Sequence, residues 1–219
     1  MGHGYQKRKN VKDFFELLNS SGVRYVLIKN IHNELPGHLA IGKDIDILVE
    51  ERDKLKFRFL MKSIARQYIH PCGKENGWIN MYELPEFEFW RIYQKDDLLI
   101  DVTYKLCCKS LMPKVWIPLD NTIQEYIWEH RSYDTENDWW ILDINTRFVY
   151  YIVRCVFDKR EFNSVYKKEI QAAKTLIDRD VVSGMFDVIF FEFSPTLFQM
   201  IDHDELDGIR SAFLAYHDY

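Results

Sequence analysis

The chain has 219 residues, 47% of them hydrophobic and 16% aromatic, with only 9 Gly and 6 Pro, so it can bury a real core and is no disordered, collagenous or low-complexity polypeptide. Its formal charge of -5 argues against electrostatic binding of a nucleic-acid polymer and leaves small phosphorylated ligands open. The charge is uneven: residues 1–70 carry 13 Lys+Arg against 8 Asp+Glu, which directs the search for an anion site to the first third.

In chain order, Val11, Phe14, Phe15, Leu17 and Leu18 fall on one helical face, which predicts a helix over 11–20 with Asn10 as N-cap and Gly22 as its stop. A strand over 24–28 follows, then a polar loop with Pro36, Gly37 and Gly42, then a strand over 44–49. In that second strand Ile45, Ile47 and Val49 point one way, and Asp44, Asp46 and Leu48 the other. The spacing over 51–68 predicts a helix with Leu55, Phe59, Leu60 and Ile64 inward and Lys54, Lys56, Arg58 and Lys62 outward.

Segments 78–82, 86–93 and 98–104 read as strands, the last two joined by a turn at 94–97. From about residue 121 the period is helical: 122–130, 144–157, 161–177, 181–193, and two shorter pieces split at Ser194-Pro195 and near Asp204. Ser194 before Pro195 suits an N-cap with Pro at the first helical position. Trp139-Trp140-Ile141-Leu142 fits either a short strand or an extended connection between the halves. The fold class expected is mixed α/β (α+β), a sheet with flanking helices over 1–120 followed by a helical domain over 121–219.

Cys72, Cys107, Cys108 and Cys155 lack C-x-x-C spacing and companion His residues, so they read as buried thiols of a reducing compartment rather than a zinc site or a disulfide framework. No signal peptide follows Lys7-Arg8-Lys9, and the apolar stretches 148–157 and 181–193 are shorter than the roughly 20 residues a bilayer requires. The expectation is a cytoplasmic protein without membrane insertion.

The chemistry lies in Gly42-Lys43-Asp44-Ile45-Asp46-Ile47-Leu48-Val49. Residues i and i+2 of a strand share a face roughly 6–7 Å apart, so two carboxylates there can converge on the same cation or on two neighbouring ones. Asp101 sits in the middle of another apolar strand, Leu98-Leu99-Ile100-Asp101-Val102-Thr103, where an unpaired carboxylate is costly. If the two strands are neighbours, Asp44, Asp46 and Asp101 form one cluster able to hold two Mg²⁺ ions.

Helix 11–20, strand 24–28, D-I-D at 44–46 and I-D-V at 100–102, in that order, resemble the polymerase-β-like nucleotidyltransferase superfamily. More narrowly, Tyr25-Val26-Leu27-Ile28-Lys29-Asn30, the Leu35-Pro36 loop and the run 42–49 look like a branch of small nucleotidyltransferase-like proteins associated with bacterial surface-polysaccharide synthesis. The resemblance implies transfer of a nucleoside monophosphate from an NTP to a small-molecule acceptor such as a sugar or sugar phosphate, with two Mg²⁺ ions and pyrophosphate release, alone or beside a partner enzyme. It implies Asp44, Asp46 and Asp101 as metal ligands and Asp101 as general base.

The superfamily carries Gly-Gly or Gly-Ser at the end of its first strand, where this chain has Lys29-Asn30. Lys29 and Lys43 are the candidate phosphate cations and Asn30 a candidate amide donor. The alternative expectation is a catalytically inactive nucleotide- or partner-binding module of the same fold.

Overall fold

The structure is a computed structural model that describes residues 2–31, 34–37, 43–69, 87–92, 98–111 and 115–216. Helix α1 (Gly2–Ser21) leads into β1 (Tyr25–Leu27), β2 (Asp44–Val49), a 3-10 turn (Glu51–Asp53), α2 (Lys54–Ile64), β3 (Ala65–Ile69), β4 (Glu88–Ile92) and β5 (Leu98–Thr103). A small hairpin follows, β6 (Cys107–Lys109) with β7 (Trp116–Pro118), then α3 (Asn121–His130) and a second hairpin, β8 (Ser132–Asp134) with β9 (Trp139–Ile141). The rest is helical: α4 (Ile144–Val153), a π-helical turn (Arg154–Lys159), α5 (Ser164–Ala173), α6 (Arg179–Phe190), α7 (Ser194–Asp202) and α8 (Leu206–Ala215).

Among the described residues the main sheet has seven strands in the order β3-β4-β5-β2-β1-β9-β8. It is mixed, with β2 antiparallel to β1 and parallel to β5. The second hairpin joins this sheet through Leu27 and Ile141, so Trp139–Ile141 is a strand.

Strand alternation divides the core between the two faces of the sheet. Tyr25, Leu27, Ile45, Ile47, Val49, Ile100 and Val102 pack with Val11, Phe14, Phe15 and Leu18 of α1 and Phe57 and Met61 of α2. Val26, Ile28 and Leu48 face the other way, into a cluster built from the C-terminal helices. The face that carries Leu48 is therefore the face that carries the acids.

Several expectations are corrected. Helix α1 begins at Gly2, so Asn10 is a buried mid-helix residue rather than a cap; Gly22 ends the helix at φ +68, a conformation open to glycine. The predicted helix 51–68 stops at Ile64 and turns into β3. Its buried stripe is Phe57 and Met61, with Leu60 and Ile64 half-buried, while Leu55 and Phe59 are 77% and 81% exposed.

Ser194 does not cap α7: it is itself helical, and the chain arrives there directly from the 3-10 turn Phe191–Phe193. The predicted strand 78–82, the turn 94–97, Gly42 and Cys72 lie outside the described residues. Cys107, Cys108 and Cys155 are buried free thiols, as expected.

By length and composition the run Arg179–Asp202 could cross a membrane. Here it is broken at Phe191, where φ is +51, and it supplies Val182, Phe186, Phe190, Phe193, Leu197 and Ile201 to the core.

The corrected face of α2 makes a direct test. Phe57→Ala should cost about 3–5 kcal/mol in urea denaturation, whereas Phe59→Ala should stay within about 0.5 kcal/mol of the parent protein.

Candidate active site

The parallel pairing of β2 with β5 sets Asp46 directly opposite Asp101, with Asp44 two residues earlier on the same face. Each of the three carboxylates offers an oxygen that lies within 4.8 Å of those of the other two. The sequence places these three acids together, and the structure does so as well.

Beside them opens a cleft of ≈ 290 Å³ that Asp44 and Asp46 line directly, with Asp101 set behind against Asp46. The chain just after β1 and just before β2 contributes Lys29, Asn30 and Lys43 to its wall, and the helical half contributes Arg154, Lys159 and Tyr166. Cations on two walls thus look onto acids on the third.

The candidate phosphate ligands differ in their engagement. Lys29 Nζ lies 2.7 Å from Asp46 Oδ2. The Asn30 side chain is turned onto its own loop, where Oδ1 accepts from Leu35 N at 2.9 Å, so it shapes the cleft rim. Lys43 is exposed at the cleft and makes no ion pair among the described residues.

The acids are electrostatically costly as they stand. Burial pushes the Asp101 carboxyl well above the usual carboxylate range, and the charges of Asp46 and Asp44 push it further. Burial also raises Asp46; Lys29 opposes that shift and Asp44 adds to it.

The donor set fits a hard divalent cation. It consists of carboxylate oxygens, the ligands that Mg²⁺, Mn²⁺ and Ca²⁺ prefer. Asp44 and Asp101 have no ion pair among the described residues, and Asp46 Oδ2 is buried without an aligned hydrogen bond, its one charged neighbour being Lys29.

The opposite wall owes its shape to the π-turn after α4, a widened helical turn of the kind concentrated at functional sites. Arg154 is buried there, donating to Tyr150 Oη at 3.2 Å and pairing with Asp158 at 3.0 Å. Asp158 is gripped from the other side by Lys109 of β6 at 2.7 Å. The small hairpin therefore braces the turn.

Burial, with Arg154 nearby, pulls the Lys159 ammonium below its ordinary range. Sequence reasoning missed Lys109 and Tyr166. Their contributions depend on tertiary pairings that leave no local periodic signal.

No protein-family model matches the chain, and no curated protein does. Among solved structures it is similar to the antibiotic-resistance factor ANT(2'')-Ia, with 8% identity and a TM-score of 0.48 over 92% of this chain and 98% of that one. It is also similar to an antigenic nucleotidyltransferase-like protein from Paracoccidioides brasiliensis, with 10% identity and a TM-score of 0.43 over 89% of this chain and 91% of that one. Both are distant likenesses of overall shape.

Two outcomes follow from the electrostatics. In metal-free buffer at neutral pH, Asp101→Asn should raise the melting temperature, because a neutral amide escapes the cost of burying a carboxyl group beside Asp46 and Asp44. Asp158 has the opposite sign: burial raises its carboxyl, but Arg154 and Lys109 outweigh burial and leave it below the usual range. Its pairing stabilises the fold above the ordinary carboxylate range and is lost as pH falls through the depressed value. Asp158→Asn should therefore cost about 3 kcal/mol at pH 7 in chemical denaturation, with the difference from the parent closing in strong acid.

Proposed function

We propose that this chain is a metal-dependent nucleotidyltransferase that moves a nucleoside monophosphate from an NTP to a hydroxyl or phosphate of a small acceptor, releasing pyrophosphate. The observation that carries the reading is the Asp44, Asp46 and Asp101 cluster in parallel-strand register beside a cleft lined by cations. Residues 1–120 supply the strands that carry the acids, and the segment from Arg154 to Tyr166 supplies the facing wall. A sugar or sugar phosphate, of the kind used in surface-polysaccharide assembly, is the acceptor class proposed.

In this reading Asp44, Asp46 and Asp101 would hold two Mg²⁺ ions between them. Bound divalent ions supply charge neutralisation at the transferred phosphoryl group and ease deprotonation of the acceptor near neutral pH. Asp101, whose carboxyl burial pushes well above the usual carboxylate range, takes the proton of the acceptor hydroxyl.

Lys43 and Lys159 meet the polyphosphate from two walls, and Lys29 joins them once it has left Asp46. Asn30 keeps the rim loop in place through Leu35. Arg154 stays fixed by Tyr150 and Asp158 and presents positive charge to the cleft without having to reorganise.

A second reading has its own observation. The Lys29–Asp46 ion pair occupies ground that the superfamily gives to glycine, which favours a module that binds a nucleotide or a partner without turnover.

The two readings separate in one assay: pyrophosphate release from each NTP with Mg²⁺ and a panel of sugars and sugar phosphates. Turnover should appear with at least one acceptor and fall by at least about 1,000-fold in Asp44→Asn, Asp46→Asn and Asp101→Asn. Equal release by those variants would remove the carboxylates from the chemistry. Nucleotide binding by calorimetry with no turnover across the panel would select the second reading.

A further inference from the structure

Three carboxylates gathered this closely need positive charge even before a ligand arrives. Among the described residues one cation touches them, Lys29, with Nζ at 2.7 Å from Asp46 Oδ2. Asp44 and Asp101 have no such partner among those residues. The resting site thus holds a single internal counter-ion, placed on one acid.

Two features fix it there. The amide of Ile28 donates to Asp46 O at 2.9 Å, continuing the β1–β2 ladder past its last paired residue and rooting Lys29 beside that acid. Asp46 Oδ2 is shut off from solvent with the ammonium against it. A Mg²⁺ ion about 2.0–2.1 Å from a carboxylate oxygen would bring two positive charges against the ammonium already held by the same carboxylate, so the two compete for Asp46.

The lysine also has somewhere to go. Its side chain, 24% exposed, lines both the main cleft and a neighbouring hollow of ≈ 190 Å³. That hollow includes Glu169, which has no ion-pair partner among the described residues.

We propose that Lys29 is an exchangeable counter-ion: it holds Asp46 in the ligand-free protein and must leave that carboxylate before a divalent cation can bind there. The inference rests on the metal-binding reading of the three acids and adds a competition between one residue of this chain and the metal. Divalent ions alone then bind weakly, and a metal that arrives with a polyphosphate binds better, because the phosphates offer the released ammonium a new partner.

The test is Mn²⁺ binding to the full chain without nucleotide, followed by electron paramagnetic resonance and calorimetry. Lys29→Met should bind Mn²⁺ about tenfold more tightly than the parent, the effect expected for one charge-assisted contact no longer broken. Lys43→Met removes the same charge from the same cleft without touching the acids, and should change the affinity by less than about threefold. Lys29→Gln repeats the measurement should the methionine variant melt early.

No gain in either Lys29 variant would overturn the exchange, and so would an equal gain in Lys43→Met, which would indicate a general field effect. Asp46→Asn separates the two levels. If it abolishes Mn²⁺ binding while the Lys29 variants match the parent, the metal site stands and the exchange falls. If it leaves Mn²⁺ binding unchanged in the parent and in Lys29→Met, both fall.

Discussion

The parallel pairing of β2 with β5 is the constraint on which the rest of the molecule depends. It seats Asp46 opposite Asp101, and alternation along β2 brings Asp44 to the same face. A one-residue slip of either strand would send its carboxylate into the opposite core, among Ile45, Ile47, Ile100 and Val102. The apolar residues that alternate with the acids therefore anchor the site as well as the fold. Burying them against α1 and α2 holds a register that like-charge repulsion alone would oppose.

That repulsion shapes the other half of the molecule. Cations converge on the acids from unrelated places in the chain: Lys29 from the end of β1, Lys43 from the approach to β2, Arg154 and Lys159 from the π-turn. The π-turn is held by Asp158 bridging Arg154 and Lys109, so the hairpin β6–β7 acts on the cleft at one remove. Rigid support of this kind would suit the proposed polyphosphate ligand, since positive charge already in place costs no reorganisation when an anion binds.

What could be read from the sequence followed the strength of local patterning. Strand 44–49 was legible residue for residue, because Ile45, Ile47 and Val49 alternate with Asp44, Asp46 and Leu48 and leave one arrangement of faces. Asp101 was legible through its cost, as a charge in the middle of an apolar strand. Helix α2 was misread because its sequence holds two apolar pairs at i, i+4 spacing, Leu55 with Phe59 and Phe57 with Met61, and periodicity cannot rank them. The sheet chose the second. The ion pair of Lys29 with Asp46 was invisible for a different reason, since it depends on where β1 ends against β2 rather than on any spacing.

Under the proposed function, lysine at the end of β1, where the superfamily that the sequence resembles has glycine, has a physical meaning. Glycine there would let the backbone approach a phosphate closely. A lysine gives up that approach and supplies a mobile charge on a long stem. The same ammonium that neutralises an acid in the resting site can neutralise a phosphate in the loaded one. The acids keep a counter-ion in both states, and the fold is spared three uncompensated carboxylates in a partly desolvated cleft. In the proposed nucleotidyltransferase, Lys29 would place phosphate recognition on a side chain rather than on the backbone and couple it to the occupancy of the metal position.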